Sequence, residues 1–415
     1  MSAAPARSTR TTRAAVVLVA LVAVVAIAAG CTVDDEWRAA GFAADHEERD
    51  DFYVVPDGLG DGAPGELIKA ERLLGAPAGS VAWRVMYRST DARGDDVVTS
   101  AVVVAPNGSG PDPERPVLSW GHPTTGAAPR CAPSRGVDPF VLIEGLVGFV
   151  DAGYTVVAAD YPGMGVEGPS SYLIGATAGH AVLDAVRAAQ AIPAAGAGDD
   201  LLLWGHSQGG QAVLFAAQEV AEYAPELDLH GVAVAAPAAQ LAELLGDDID
   251  ALSGVTIGSY ALSAYADFYG PDTPGAELSS VLTEPAQRSI GAMSRLCLFG
   301  QQHALHALAR PLVGDFLTED LATTAPWDEL LAENTPGGAP IDVPVLVTQG
   351  LADQLVVPST TDEFVSRICA AGEHVEYRTY ERIDHGLVAE RALPLVRPWF
   401  RALLDGEAVP DTCPR

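Results

Sequence analysis

The chain reads as an α/β protein: a mostly parallel sheet of eight strands, helices on both faces, and a helical insertion between the sixth and seventh strands. Three observations predict it. Short apolar runs alternate with helical periods along most of the chain, as parallel strands joined by crossover helices do. One strand turns into its helix through Gly205-His206-Ser207-Gln208-Gly209, a serine with glycine at minus two and plus two. The alternation then stops between Ala239 and Pro340, a gap of about a hundred residues, far beyond the roughly two to six usual between such elements.

The N-terminus stands apart from that core. Arg7, Arg10 and Arg13 precede an unbroken apolar run from Ala14 to Ala29. At ~1.5 Å per residue the run spans about 24 Å, short for a ~30 Å bilayer core, so residues 1–30 read as a cleaved export signal. Ile27-Ala28-Ala29-Gly30-Cys31 looks like a bacterial lipobox, with Ala28 where the pattern prefers leucine. It implies lipidation of Cys31 and membrane contact through a tethered N-terminus; the alternative is plain secretion with Cys31 as a free thiol. Residues 31–50 read as an acidic tether. The formal charge of the 415 residues is −31, and it moves to −34 once the three arginines of the signal are removed. Lys69 is the only lysine. Such a surface repels nucleic acid.

The first core segment covers residues 51–239. Gly58-Leu59-Gly60-Asp61-Gly62-Ala63 matches a dinucleotide fingerprint by letter, yet Pro64-Gly65 follows where the helix should start, so it carries no cofactor. Val81–Arg88 and Val97–Ala105 are β-rich runs joined by Asp91-Ala92-Arg93-Gly94-Asp95, a hairpin signal. Pro116–Trp120 is the third strand, followed by a helix near Pro139–Ala152, a strand at Tyr154–Ala159 and a helix near Ala176–Ala191. Leu201–Trp204, the helix Gln208–Tyr223 and the strand Leu229–Ala235 complete the segment.

Residues 240–339 are long enough for several helices, one expected around Asp315–Ala322, and their place over the active end of the sheet suits a cap. Residues 340–415 resume the pattern: strand Val343–Gln349, helix Thr360–Ala371, strand Val375–Tyr380, helix Val388–Leu404.

The chemistry centres on Ser207. Side chains at the flanking glycines would collide with the neighbouring strand and helix, so the spacing lifts the serine hydroxyl to the apex of a strained turn. Serine needs a base, and the base an orienting carboxylate. Downstream, Asp353 follows the seventh strand and His385 the eighth, the order this kind of sheet requires. Asp384 adjoins the histidine, and neighbouring side chains diverge too far for that bond. His303 and His306 lack a glutamate partner, so no metal site is expected. The oxyanion donors are the N–H of Gln208 and one from the loop Gly121-His122-Pro123-Thr124-Thr125-Gly126. Proline has no N–H, which leaves Thr124 or Thr125, with Thr124 preferred. Beyond Cys31, the four cysteines Cys131, Cys297, Cys369 and Cys413 suggest two disulfides in an exported chain, with three possible pairings.

At these residues the chain resembles the secretory lipases of the α/β-hydrolase superfamily, a group with fungal lipase A and actinobacterial exported members. The pieces that carry the resemblance run from Phe52-Tyr53 and Pro64-Gly65-Glu66-Leu67-Ile68 through Ser119-Trp120-Gly121-His122-Pro123-Thr124-Thr125-Gly126 and Cys131-Ala132-Pro133-Ser134. They continue with Ala159-Asp160-Tyr161-Pro162-Gly163-Met164-Gly165, Gly205-His206-Ser207-Gln208-Gly209-Gly210 and the loops holding Asp353 and His385. Pro123 replaces the family's glycine. The resemblance implies an α/β-hydrolase fold, ester hydrolysis through an acyl-enzyme on acylglycerol-type lipids, and a cap that shapes an acyl tunnel. It also implies disulfides Cys131–Cys297 and Cys369–Cys413, and a structural turn at Asp160. The expected protein is an exported or lipid-anchored monomer without cofactor. A serine peptidase on the same fold and a surface lipoprotein that binds acyl ligands without turnover are the alternatives.

Overall fold

The computed structural model describes residues 51–108, 114–247 and 249–414; the export signal, Cys31 and the acidic tether lie outside them. Among the described residues the strands are β1 (Leu67–Leu73), β2 (Ser80–Thr90), β3 (Asp96–Pro106), β4 (Arg115–Gly121), β5 (Thr155–Ala159), β6 (Ala197–His206), β7 (Asp228–Ala235), β8 (Val345–Gly350) and β9 (Val375–Tyr380). They form one nine-stranded sheet in the order β1-β2-β3-β5-β4-β6-β7-β8-β9. β1, β2 and β3 run antiparallel, and β3 meets β5 antiparallel. From β5 through β4, β6, β7 and β8 to β9 every pairing is parallel.

The ninth strand is β1, an edge that hydropathy alone does not reveal. Its Lys69, Glu71 and Arg72 leave no apolar alternation, and charged side chains are how an exposed edge avoids further pairing. The insertion therefore falls between β7 and β8.

Core helices are α1 (Leu146–Asp151), α2 (Gly175–Gln190) and α3 (Gln208–Tyr223) before the insertion. Expected from Pro139, α1 starts only at Leu146 because Gly145 stands at φ 84°, a left-handed conformation that a helix cannot include. In the insertion lie α4 (Leu241–Asp247), α5 (Leu252–Tyr269), α6 (Glu284–Met293), α7 (Gln302–Ala309) and α8 (Trp327–Glu333); after it come α9 (Pro358–Ala371) and α10 (Val388–Leu404).

Alternate residues of each central strand face opposite layers, as the two-residue period demands. Leu201 and Leu203 of β6 pack in one apolar cluster with Val182 of α2, Val213 of α3 and Phe364 of α9. Leu202 and Trp204 pack in the other with Phe149 of α1 and Phe400 of α10. Burying a side chain of this size is worth about 1.5–3 kcal/mol, so both faces of the strand contribute and the central strands read as continuous apolar runs.

The insertion shares the second cluster: its buried Tyr260, Tyr265, Phe316 and Trp327 join Trp120 and Trp204 there. The helix expected at Asp315–Ala322 does not form. Leu317 instead makes an antiparallel bridge with Leu282, Thr283 N–H donates to Phe316 O and Thr318 N–H to Val281 O. Backbone groups spent sideways in this way cannot close a helical turn.

Polar contacts and a disulfide anchor the insertion. Asn334 Oδ1 accepts from Gly175 N–H, while its Nδ2 donates to Tyr269 Oη and Leu330 O. Gln211 Nε2, on α3, donates to Asn334 O at 2.7 Å. Cys131 is bonded to Cys297, and Cys369 to Cys413; the first ties the loop after β4 to the insertion, the second ties α9 to the C-terminal tail.

Candidate active site

The elbow after β6 is built by mutual exclusion of side chains. A Cβ on Gly205 would strike the backbone of Gly209, and one on Gly209 would strike the carbonyl of Gly121 at the end of β4. Absence of both lets α3 start directly against two strands. Ser207, between them, is held at φ 57°, ψ −119°, a strained region for a residue with a Cβ. Three bonds hold it there: Ser207 N–H to Ala235 O at 3.0 Å, and Ser207 O accepting from Ala238 N–H at 3.0 Å and Gln211 N–H at 3.2 Å. The serine follows the end of β6 and stands at the positive end of the 16-residue α3.

Three loops that are distant in sequence meet at its hydroxyl. His385 Nε2 lies 2.9 Å from Ser207 Oγ, and His385 Nδ1 lies 2.7 Å from Asp353 Oδ2. Asp353 is buried and its other oxygen accepts from Leu355 N–H and Val356 N–H, both at 2.9 Å. Gln349 Nε2, at the end of β8, donates to Asp353 Oδ2 at 3.3 Å and to Val356 O at 2.9 Å, with its own Oε1 bonded by Thr361. A carboxylate so surrounded is fixed as an acceptor and can orient the imidazole. The aspartate and histidine loops are sewn together by Leu351 N–H to Tyr380 O and Ala352 N–H to Ile383 O. A side chain on Gly350 would collide with the Ile383 carbonyl. Asp384 instead accepts from Leu387 N–H at 3.2 Å.

His206 lies inside the elbow, its ring 4.9 Å from that of His385. Burial and the neighbouring His385 hold its pKa well below the ordinary histidine value, so it is a neutral packing partner. His122 is likewise neutral: burial lowers its pKa to about 4, and its ring stacks on Tyr161 at 4.4 Å.

The two threonines after Pro123 diverge. Thr125 turns from the site, its Oγ1 donating to Cys131 O and its carbonyl accepting from Leu298 N–H. Thr124 lines the cavity beside Ser207 with Tyr172, Leu173 and Gln208. Thr124 Oγ1 and Tyr172 Oη are 2.7 Å apart, and burial raises the pKa of Tyr172 above the usual phenol range. Leu173 has φ 57°, and its carbonyl accepts from Tyr265 Oη at 3.0 Å and Gln211 Nε2 at 3.1 Å. Leu244 and Ile257 of the insertion close the same cavity.

Sequence reasoning missed Tyr172, Leu173 and Gln349. Gln349 carried a signal, a polar residue ending the apolar run of β8. Tyr172 and Leu173 carried none, because their partners are 38 or more residues away. His303 and His306 lie on α7 and belong to no metal-sized ligand group among the described residues. The group of described residues compact enough to hold a metal, Asp200, Asp228 and His230, sits near the start of β6 and β7 with its carboxylates exposed.

A family model for secretory lipases matches residues 141–411. Over 385 residues the chain is 26% identical to a Mycobacterium tuberculosis protein named "Probable inactive lipase", covering 87% of this chain and 83% of that one. It is also 26% identical to Lipase A of Arthroderma benhamiae, over 88% of this chain and 81% of the fungal one. Among solved structures, Candida antarctica lipase A superposes with a TM-score of 0.69 at 21% identity, covering 88% of this chain and 87% of its own. The rice cell wall degrading esterase LipA of Xanthomonas oryzae gives 0.68 at 22%, covering 84% of this chain and 100% of its own. At those identities the structural matches establish the fold, an α/β-hydrolase.

Proposed function

The chain belongs to the secretory lipase family, and on that premise we propose that it cleaves carboxylic esters through an acyl-enzyme formed on Ser207. The observation that carries the reading is the run of contacts from Asp353 through His385 to Ser207, at 2.7 and 2.9 Å, drawn from three separate loops. His385 Nε2 takes the Ser207 proton as Oγ attacks the ester carbonyl, while Asp353 keeps Nδ1 protonated and stabilises the imidazolium. The oxyanion forms against the N–H of Gln208 and that of Thr124, at the positive end of α3. His385 then protonates the departing alkoxide, and water repeats the sequence to release the acid.

In this reading the insertion, residues 240–339, is a cap whose Leu244 and Ile257 roof the serine. The protein is exported and lipid-tethered through Cys31; replacing Cys31 with serine should release it from the membrane fraction into the medium. Acylglycerols and simpler carboxylic esters are both within the chemistry of the triad.

The test is hydrolysis of p-nitrophenyl esters from acetate to palmitate by the mature chain and by Ser207→Ala. Turnover in the parent and its loss in the variant support the reading. The relative named as an inactive lipase makes ligand binding without turnover the reading to separate, and a folded parent that hydrolyses no ester would favour it. Cleavage of peptide amides in preference to esters would instead favour a peptidase.

A further inference from the structure

We propose that the groove between α1 and α10 binds a free fatty acid by its carboxylate, at the end of the sheet opposite Ser207. The inference stands independently of ester hydrolysis.

The groove has a volume of about 420 Å³, within the ~300–1,000 Å³ usual for small-molecule sites. Its place follows from strand register. Through β4, Thr155 of β5 stands level with Leu201 of β6. Ser207 lies six residues beyond Leu201, about 20 Å at ~3.3 Å per residue. Tyr154, just before β5, lines the groove, which therefore opens at the far end of the strands from the nucleophile. Phe149 of α1 and Leu393 and Pro394 of α10 give it apolar walls, and Arg397 and Arg401, one helical turn apart, give it charge. Like charges at that spacing repel, and among the described residues no carboxylate lines the groove to separate them.

Three donors there lack acceptors. Arg397 Nη2 donates to Gly148 O at 3.1 Å, and its guanidinium makes no ion pair among the described residues. Arg401 Nε donates to Asp405 Oδ2 at 2.7 Å, which leaves its two terminal nitrogens for another partner. Tyr154 is 4% exposed, with its ring edge-on to Phe149 at 5.6 Å. Its hydroxyl has no hydrogen-bond partner among the described residues, yet it is not among the atoms sealed from solvent, so it opens into the groove that the ring lines. Burial raises the pKa of this phenol while Arg401 and Arg397 act to lower it, which places the hydroxyl close to both guanidinium groups.

A ligand that satisfies all three must bring acceptor oxygens, and charge-assisted bonds make an anion the strongest candidate. Two guanidinium charges less that of Asp405 leave a single positive charge, matched by one carboxylate. The apolar walls then call for an alkyl chain behind it. A free monoanion is favoured over an anionic bilayer, because the net charge of −31 repels an extended negative surface.

The experiment follows the fluorescence of 11-(dansylamino)undecanoic acid on binding to the mature chain with Cys31→Ser, and its displacement by decanoate and by decan-1-ol. Decanoate should displace the probe about tenfold more effectively than the alcohol, since hydrogen bonds to charged groups outweigh neutral ones. Arg397→Gln with Arg401→Gln should weaken probe binding about tenfold and remove most of the advantage of decanoate. Both side chains are exposed, so the fold should survive. Tyr154→Phe should weaken binding about threefold to tenfold. Asp405→Asn should tighten it by about twofold to fivefold, a gain that damage to the fold does not produce. Binding unchanged in the double arginine variant, equal displacement by decanol and decanoate, or weaker binding by Asp405→Asn would each overturn the proposal. Vesicles of phosphatidylglycerol and phosphatidylcholine should not retain the chain in sedimentation. Retention by them without binding of the monomeric probe would assign the groove to a membrane surface and overturn the proposal as well.

Discussion

The elbow at residues 205–210 and the insertion at residues 240–339 both meet at Ser207, but they are held in different ways. In and beside the elbow the fixing contacts are backbone on backbone: a Cβ on Gly121, Gly205 or Gly209 would strike main chain, and Ser207 is pinned by three main-chain bonds. The insertion is fixed through side chains: its Tyr260, Tyr265, Phe316 and Trp327 share one apolar cluster with Trp120 and Trp204 of the core. Asn334 and Tyr265 fasten it to the core by hydrogen bonds, and Cys297 by a disulfide. A fold that must hold a nucleophile to a fraction of an ångström uses the first kind of restraint. For the insertion read as the proposed cap, side-chain restraints serve better, because such contacts can open locally while the fold persists.

That difference can be broken on the catalytic side with the largest effect. On the proposed mechanism His385→Ala should lower kcat by about 10⁴–10⁶-fold with the fold intact, because removal of one member of such a triad disables the unit. The measurement is ester turnover alongside circular dichroism.

On the insertion side the largest expected effect comes from Cys131→Ser with Cys297→Ser, a bridge spanning 166 residues. Opening it should cost about 2–4 kcal/mol of stability, read from urea unfolding. Because Thr125 O also accepts from Leu298 N–H beside that bridge, this joint serves both regions and activity should fall with it.

Gly209→Ala sharpens the contrast. Its new methyl meets the Gly121 carbonyl, and overpacking of this kind costs about 1–3 kcal/mol, with kcat lost as the elbow shifts. Asn334→Ala should cost a similar or smaller amount, about 1–2 kcal/mol for the buried hydrogen bonds it leaves open, but raise KM more than it lowers kcat. A kcat loss equal to that of Gly209→Ala would erase the distinction between the two regions.

The smallest effect is on pH. Asp160 is buried between Ser100 and Ser134, and desolvation raises its pKa from 3.8 to about 6. The folded chain therefore binds this proton more tightly than the unfolded one. The stability from Asp160 is complete below pH ~4 and is lost as pH rises through about 6. Asp160→Asn should flatten that part of the stability curve, as measured by thermal unfolding between pH 4 and 7.

The elbow was legible because its restraints are local: Gly-x-Ser-x-Gly between a strand and a helix has one steric solution. The aspartate and histidine followed from strand order, since loops at the same edge of a parallel sheet converge. The cysteine pairing came with the family resemblance and holds in the structure. Other features were set by tertiary partners. β1 has the charges of an exposed edge and no alternation, so only pairing with β2 reveals it. A helix was expected at residues 315–322, yet Phe316 O and Thr318 N–H bond sideways to Thr283 and Val281. Tyr172 and Leu173 enter the site through contacts that no spacing announces.

Active-site labelling tests whether Ser207 is the activated nucleophile proposed above. The mature chain would be incubated with diethyl p-nitrophenyl phosphate, which phosphorylates an activated serine and releases p-nitrophenol, then digested and mapped by mass spectrometry. One diethylphosphoryl group per chain is expected, on the peptide that contains Ser207, with no labelling of Ser207→Ala and severely slowed labelling of His385→Ala. An unlabelled Ser207 in folded protein, or labelling at the same rate without His385, would contradict it.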